Sequence, residues 1–499
     1  MASGLSPMMQ EYIKTKEEYK DCIIFYRLGD FYEMFFEDAK LVSKELELTL
    51  TGKSCGLEEK APMCGVPFHS CDQYIDRLVE NGHKVAIVEQ VEDPATAKGL
   101  VKREVIRVVT PGTNCNSKSL DEGKNNYIMS IVSRMNRFGI SIADVATGDY
   151  YLTEVSDVRG ILDEINRYTP AEIIYEETLE MSSLDFSDLK NRLKISFSLL
   201  EDWYFEKDMA INTLKNHFHV MALDGLGLSD YPVGMLAAGG LLKYLLETQK
   251  TSLAHITSIK PYETGKYMII DTSTRRNLEL LETLREKQKR GTLLWVLDKT
   301  KTAMGARLLR KYIEQPLIHK SEILKRQEII QCFNDHLIAR DELREYLSSI
   351  YDLERLIGRI TYKTANPRDL IAFKTSLAML PGILSCMEDL DSELLEEIKK
   401  ELDPLQDIHN LIEQAIIDEP PLTVREGGII KEGYHEEVDR LKSAQTQGKD
   451  WLAKLEEEEK ETTGIKNLRI KYSKVFGYSF EVTNSYKDLV PKNWVRKQT

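Results

Sequence analysis

Apolar positions recur with two different periods along the chain. Met8 to Tyr19 has helical spacing and precedes "CIIFYRLG" (22–29), a β-rich run. After the Gly29-Asp30 turn, "FYEMF" (31–35) predicts a second strand. "EDAKLVSKEL" then predicts a helix with Ala39, Leu41, Val42 and Leu46 on its apolar side. "HKVAIVEQ" from His83 and "EVIRVVT" from Glu104 are strands by β-branched content. Together these predict a small mixed α/β domain over 1–113. Pro111-Gly112 and "TNCNSKSLDEGKNN" follow, with a linker over 114–122.

"YIMSIVSRMNRFGISIADVATGDYYLTEV" predicts three strands with turns at Asn136 and Gly148-Asp149. Helices are expected near 157–167 and after Pro232, giving a second α/β domain over 123–255. From about 260 to 440 the pattern is almost all helical. "NLELLETLREKQ", "ARLLRKYIEQ" and "ELLEEIKKELDPL" carry leucines at i, i+3, i+4, and prolines 316, 367, 381, 404, 420 and 421 punctuate the helices. This predicts a long-helix domain over 256–430. A last helix, about 432–460, leads into strands "LRIKYSKVF" and "YSFEVTNS", so 431–499 forms a small β-containing module. The fold class is therefore multidomain, α/β plus α, as a chain of 499 residues requires. Neither an internal repeat nor a low-complexity tract is evident. The best apolar candidate, "GMLAAGGLLKYLLE" from Gly234, is interrupted by Lys243 and is too short to span a bilayer.

Composition changes this picture little. Hydrophobic residues are 42% and charged residues 30% of the chain, an ordinary soluble balance. The seven cysteines form no CxxC, which argues against zinc or a disulfide framework and fits a reducing cytosol. Glu11, Glu17 and Glu18 do not fit a signal peptide. Net charge of −14 argues against a generally basic nucleic-acid coat but not against local patches. One such patch follows the acidic run Glu456 to Glu459. Between Ile465 and Thr499, Lys466, Arg469, Lys471, Lys474, Lys487, Lys492, Arg496 and Lys497 face only Glu481 and Asp488 in sequence. Charge alone leaves a basic binding module and a fluctuating surface equally open.

Several apparent motifs carry no chemistry. "TGKS" (51–54) ends like a phosphate loop, but the Walker pattern needs glycine where Glu47 stands. HExxH is absent. His217 and His219 alternate as a strand pair would. Asp144, Asp149 and Glu154 could belong to a metal-dependent nuclease, but no convincing fourth acid accompanies them, and surface turn positions are expected.

"GDFYEMFF" (29–36) raises a sharper question, because it sets Glu33 among four aromatic rings. If 31–35 is extended, Phe31, Glu33 and Phe35 share one face and Tyr32, Met34 and Phe36 the other. One face packs on the core. The other offers a ring and a carboxylate side by side. A phenylalanine inserted at a base step kinks duplex DNA. Unstacking costs least at a mispaired base. Glu33 would accept from a base N–H when ionised and donate to a ring nitrogen only when protonated. Its charge would repel intact duplex. On the octapeptide alone, a plain core strand is the better reading.

The neighbouring motifs change that balance. "LGDFYEMF", "APMCGVPFHS", "VAIVEQVEDPATAKG", "VVTPGT", "DTSTRRNLEL", "KTAMGARLLRKYIEQPL", "DLERLIGRI" and "FGYSFEVTNS" occur in the order and spacing of the MutS family of mismatch-recognition proteins, which the chain resembles over nearly its whole length. The resemblance implies a mismatch-binding domain (1–113), a ribonuclease-H-like connector without its catalysis (123–255), the first half of a helical lever domain (256–430) and a clamp (431–499). It implies Phe31 as the stacking wedge, Glu33 as the base-contacting acid and Tyr32 packed inward. Met63, Phe68, His69 and Ser70, with Lys98, Lys102, Arg103 and Arg107, match the part that grips the backbone near the lesion. Lys471, Lys474, Asn493, Arg496 and Lys497 match backbone contacts of the clamp.

The family's ATPase domain and the return half of the lever are expected after the clamp, and the chain ends at Thr499 before either. A truncated product is therefore expected, with no cofactor or enzymatic activity of its own. ATP and Mg2+ belong to the absent domain of a family that is a DNA-dependent ATPase. Lever helices without their partners should expose apolar surface. The resemblance implies mispaired or looped duplex DNA as ligand, a MutL-type partner at the connector, no membrane, and a bacterial cytoplasmic, nucleoid-associated location. It implies a homodimer for the intact family and allows a monomer here. The alternatives left open are an interaction protein that binds repair partners without mismatch discrimination, a nuclease built on the connector, and a junction-specialised relative. The intact Phe31-x-Glu33 argues against the last.

Overall fold

The computed structural model describes residues 4–92, 101–116, 120–134, 137–473, 477–491 and 493–496. The chain divides into two compact units, Met1–Ala365 with Ala372–Gln406, and Asn366–Ile371 with Asp407–Thr499.

The first unit opens with a six-stranded sheet: β1 (Cys22–Leu28), β2 (Phe31–Phe35), β3 (Thr51–Lys53), β4 (Ala61–Pro67), β5 (Lys84–Gln90) and β6 (Arg103–Val109), in the order β3-β4-β2-β1-β5-β6. Only β1 and β5 run parallel. Helices α1 (Pro7–Glu18), α2 (Phe36–Glu45) and α3 (Cys71–Glu80) complete it. Val42 of α2 and Leu78 of α3 pack with Tyr32 and Met34, while Met9 and Tyr12 of α1 pack on the opposite face with Ile24 and Phe35. Both faces are covered, so β1 and β5 are continuous apolar runs rather than alternating ones. The sequence pattern predicts most of these elements but not β3, β4 or α3. In β4, Pro62, Gly65 and Pro67 mask the strand signal.

A second sheet comprises β7 (Tyr127–Arg134), β8 (Arg137–Asp144), β9 (Asp149–Val155), β10 (Glu172–Tyr175), β11 (Ser196–Leu199) and β12 (Lys260–Pro261). Its order is β11-β10-β7-β8-β9-β12, antiparallel across β7-β8-β9 and parallel at β10, β11 and β12. This is the mixed α/β sheet that the connector reading expects. The expected turn at Asn136 lies outside the described residues. Helices α4 (Val158–Tyr168), α5 (Phe186–Leu193), α6 (Lys207–Phe218) and α7 (Pro232–Gln249) accompany the sheet. A Cβ at Gly239 would fall 2.3 Å from Ala210 Cα, so α7 and α6 touch backbone to backbone. The apolar run at Gly234 is thus a buried core helix.

Two expectations for this region fail. His217 and His219 are not strand residues: His217 lies in the last turn of α6 and His219 is its C-cap at φ +53. Ala210 and Leu214, buried four residues apart, hold the helical period there. Asp144, expected at the surface, is fully buried. Its carboxylate organises the turn after β8, accepting from Asn125 Nδ2 at 2.7 Å and from the backbone N–H groups of Asn126 (3.1 Å) and Ala146 (2.9 Å). Glu154 is also nearly buried, accepting from Val233 N and Gly234 N at the start of α7. Among the described residues no group of three His, Cys, Asp or Glu side chains could hold a metal ion.

The two sheets are joined by Glu172, whose carboxylate accepts from Thr110 Oγ1 and, at 3.2 Å, from Gly112 N on one side, and from Ser198 Oγ (2.6 Å) and Tyr244 OH (2.9 Å) on the other. The segment between the sheets is gripped from helices farther along. Arg307 Nη1, in the helix Ala303–Glu314, donates to Glu122 O at 2.9 Å, and Arg355 Nη2, in the helix Leu353–Thr361, donates to Asp121 O and Lys124 O.

The helical region departs from expectation in two places. "NLELLETLREKQ" does not form a helix. The helix Thr272–Asn277 ends on its first residue, and Glu279 and Lys287 take φ of +46 and +52. A folded loop there buries Leu280 against Leu294 and Ile313 and leaves Leu278 and Leu284 exposed. Pro381 does not punctuate a helix but lies inside Pro367–Met387. That helix, rather than the Gly234 run, is the one among the described residues long and apolar enough to cross a membrane. Phe373, Leu377, Leu380, Ile383 and Met387 are buried along it at helical spacing, as in a core helix. Large apolar side chains including Trp295, Leu297, Ile330 and Ile338 are exposed in this region.

In the second unit the helix Glu436–Thr463 leads to the hairpin β13 (Arg469–Ser473) and β14 (Gly477–Glu481). Glu456 Oε2 accepts from Ile470 N at 2.9 Å, tying helix to hairpin. Phe480 stacks on Trp494 with ring centroids 4.6 Å apart.

Candidate nucleic-acid interface

Leu28 and Phe31 pair across a two-residue turn, Gly29-Asp30. Gly29 has φ +59, the conformation a tight hairpin reserves for glycine at its first turn position. Nothing lies within 4 Å of a Cβ built there, so the requirement is conformational rather than steric. The turn is buttressed from behind. Arg27 Nε donates to Gly29 O at 2.5 Å, and the Arg27 guanidinium lies 3.6 Å from the centre of the Phe68 ring. Arg103 Nε donates to Arg27 O at 2.9 Å, and Phe68 N to Asp30 O at 3.0 Å. Tyr32 OH donates to Glu89 at 2.7 Å, and burial followed by that carboxylate pushes its pKa up.

The alternation of side chains along β2 then decides what is presented. Tyr32 is 5% exposed and Met34 fully buried, whereas Phe31 is 46% exposed. Phe35 shares the Phe31 face but is covered by Tyr12, whose ring meets it edge-on at 5.0 Å. That face is therefore open only at its Phe31 end, not along its whole length as the alternation alone suggested. Glu33, two residues on, is half-buried and pairs with Gly65 in β4. Its carboxylate accepts from Lys53 Nζ of β3 at 2.5 Å.

The remaining residues expected at the interface are dispersed. Met63 pairs with Phe35, four residues along β4 from Pro67, the partner of Phe31. It is therefore about 13 Å from the turn. Phe68 packs under Arg27 beside the turn, His69 is exposed, and Ser70 Oγ donates to Pro67 O at 3.3 Å. Lys102 is exposed and pairs with Glu104 at 2.6 Å. Arg103 serves the turn, as described. Arg107, opposite Ile87, lies elsewhere. Burial pushes the thiols of Cys71 and Cys115 up to about 12, and the Arg107 charge pulls both back. In the second unit Lys471 pairs with Glu481 at 2.7 Å, and Asn493 and Arg496 are exposed. Lys98, Lys474 and Lys497 lie outside the described residues.

Two features escaped sequence reasoning. Lys53 belongs to "TGKS", a stretch weighed only as a phosphate loop. On the hairpin, Tyr472 and Tyr478 pair across the strands with centroids 5.1 Å apart and are both exposed. Their matching distance from the hairpin tip was the available signal.

Sequence models of MutS domain I, domain II and domain III match residues 6–118, 126–257 and 273–477 respectively. The chain belongs to the MutS family. It is 62% identical over 495 residues to the DNA mismatch repair protein MutS of Lachnoclostridium phytofermentans, covering 99% of this chain and 53% of that protein. It is 52% identical over 498 residues to the MutS of Ruminiclostridium cellulolyticum, and 51% identical over 500 residues to that of Acetivibrio thermocellus. These alignments take in 99% and 100% of this chain and 57% of each relative. The chain thus spans about half the length of the MutS relatives it matches. The exposed Phe31 and its Glu33 neighbour lie within the stretch matched by MutS domain I.

Proposed function

We propose that this chain recognises mispaired or unpaired bases in double-stranded DNA, as the first step of mismatch repair. Phe31 is the ring that enters the base stack and Glu33 the acid that contacts the displaced base. The observation that carries this reading is the half-exposed Phe31 ring on a buttressed two-residue turn. Among the described residues it is the exposed aromatic of the first sheet. A ring held this way can enter a base step where pairing is already weakened, because unstacking is least costly there. Bending the duplex to admit it costs on the order of 1–6 kcal/mol.

In this reading residues 1–113 form the mismatch-binding domain, 123–255 the connector, 256–430 lever helices and 431–499 the clamp. His69, exposed next to Phe68 at the turn, exposed Lys102, and Lys471, Asn493 and Arg496 of the clamp are backbone contacts. No catalytic step is placed in these residues. Hydrolysis of ATP with Mg2+, dimerisation and signalling to a MutL-type partner belong to the longer family protein, acting at the bacterial nucleoid. A connector nuclease is disfavoured because both Asp144 oxygens are occupied by hydrogen bonds within a fully buried turn.

Fluorescence anisotropy of the chain with a G·T duplex and its matched counterpart, at stated salt, tests the reading. A preference for the mismatch that disappears in Phe31→Ala is expected. A preference unchanged in Phe31→Ala would refute the wedge. Partner binding with no heteroduplex preference would favour the interaction-protein alternative.

A further inference from the structure

Glu33 is not alone on its face. Lys53 is opposite Ala61 in β4, and Glu33 is opposite Gly65, so both sit on the side of the sheet that carries Phe31. The Lys53 side chain passes over β4, 5.8 Å from the centre of the Phe35 ring, and its ammonium reaches the Glu33 carboxylate at 2.5 Å. Gly65 puts no side chain beside Glu33, and a Cβ there would sit in contact with Tyr32 O at 3.3 Å and Glu33 Cγ at 3.5 Å. The two side chains are 33% and 16% exposed, so the pair is accessible to a phosphate rather than sealed in the core. Phe31 and Glu33 are two residues apart on one strand, about 7 Å, which puts the pair beside the wedge.

We propose that Lys53 is the counter-ion that sets how strongly Glu33 discriminates against intact DNA. This inference rests on the reading of Glu33 as the base-contacting acid. In the free protein the ammonium neutralises the carboxylate and fixes its position. When a duplex arrives, its phosphates compete for the ammonium. At a mispaired base the released carboxylate gains a hydrogen-bond donor from the base edge. At a matched step it gains none and faces the duplex as an uncompensated charge. Lys53 is thus a positioning residue for Glu33, and its charge falls unequally on matched and mismatched duplexes.

A double-mutant cycle on the whole 499-residue chain tests this, using the chain, Lys53→Met, Glu33→Gln and the double variant. Each is titrated with the matched and the G·T duplex at one salt concentration. Lys53→Met should weaken matched-duplex binding about three- to tenfold more in the native background than in the Glu33→Gln background. The same comparison on the G·T duplex should give a smaller excess. Lys53→Arg should bind both duplexes as the native chain does. Equal losses in both backgrounds, or Lys53→Arg behaving as Lys53→Met with native circular dichroism and melting, would overturn the proposal. Equal losses of this kind would leave the proposed roles of Phe31 and Glu33 standing without Lys53. No effect from Lys53→Met, Glu33→Gln or Phe31→Ala on either duplex removes the site reading itself.

Discussion

Gly358 lies so close to Ala146 that a Cβ at 358 would fall 2.8 Å from the Ala146 carbonyl oxygen. The helix Leu353–Thr361 meets the turn after β8 backbone to backbone, and Tyr362 OH donates to the neighbouring Val145 O at 3.4 Å. A carbonyl on a turn organised by buried Asp144 cannot yield as a flexible side chain would. Gly358→Ala should destabilise the first unit by about 1–3 kcal/mol. Urea denaturation followed by circular dichroism reads this, and an unchanged midpoint would show that the helix can shift freely.

The two arginines that grip the segment between the sheets should be separable from the core. Arg307 is nearly buried and bidentate to Asp352, with both contacts at 2.7 Å, and also reaches Glu354. Arg307→Met should cost on the order of 3 kcal/mol by removing the bidentate partner of Asp352, which would keep only the longer 3.8 Å approach of Arg355. Amide hydrogen exchange over 120–124 should accelerate relative to the cores of the two sheets. Acceleration spread evenly over the unit would mean that the grip is not local.

Glu172→Gln tests the junction between the sheets. Each carboxylate oxygen of Glu172 accepts from two groups, so an amide must either face its NH2 toward the Gly112 N–H or force the Ser198 and Tyr244 hydroxyls to accept instead of donate. A loss of about 1–3 kcal/mol is expected, with limited proteolysis cutting the segment between the sheets faster than in the native chain. Native stability and native cleavage would show that the junction is held by apolar packing instead.

His255 makes stability depend on pH. Its Nε2 donates to Val145 O at 2.8 Å and its ring meets Tyr362 at 5.3 Å. Burial holds its pKa below the ordinary value, against the opposing pull of the Val145 carbonyl. The unfolded chain therefore takes up the proton more readily than the folded one. The stabilising effect is complete above the ordinary histidine value of about 6.5 and is lost as pH falls from there through the lower folded-state value. Thermal melts between pH 8 and 5.5 should show a steeper decline for the native chain than for His255→Gln. Burial lowers His217 as well, so a residual slope is expected in the variant.

The strands around the Phe31 turn were legible because β1, β2, β5 and β6 carry strong local signals, from β-branched runs to a Gly-Asp turn. The alternation in "FYEMF" also assigned Tyr32 inward and Phe31 and Glu33 to one face. It could not show that Tyr12, nineteen residues from Phe31 in sequence, closes that face over Phe35. Lys53 was illegible for a similar reason, because its link to Glu33 crosses an intervening strand disguised by prolines. The leucines of 277–288 misled because their spacing implies one shared buried face, whereas the loop buries Leu280 and leaves Leu278 and Leu284 in solvent. Asp144 was misplaced because turn residues are usually wet, and this turn is covered by Tyr362 and its helix.

The buttress behind Gly29 has a kinetic consequence under the proposed reading. Arg27, Phe68, Tyr32, Glu89 and Arg103 immobilise the turn before any DNA arrives, so the ordering entropy of the loop is incurred during folding and not at each encounter. A protein that interrogates a long polymer repeats the same trial at every step. With the ring already set, the dwell at each step is governed by the polymer's own local stiffness, and a weak step reveals itself by holding the protein longer.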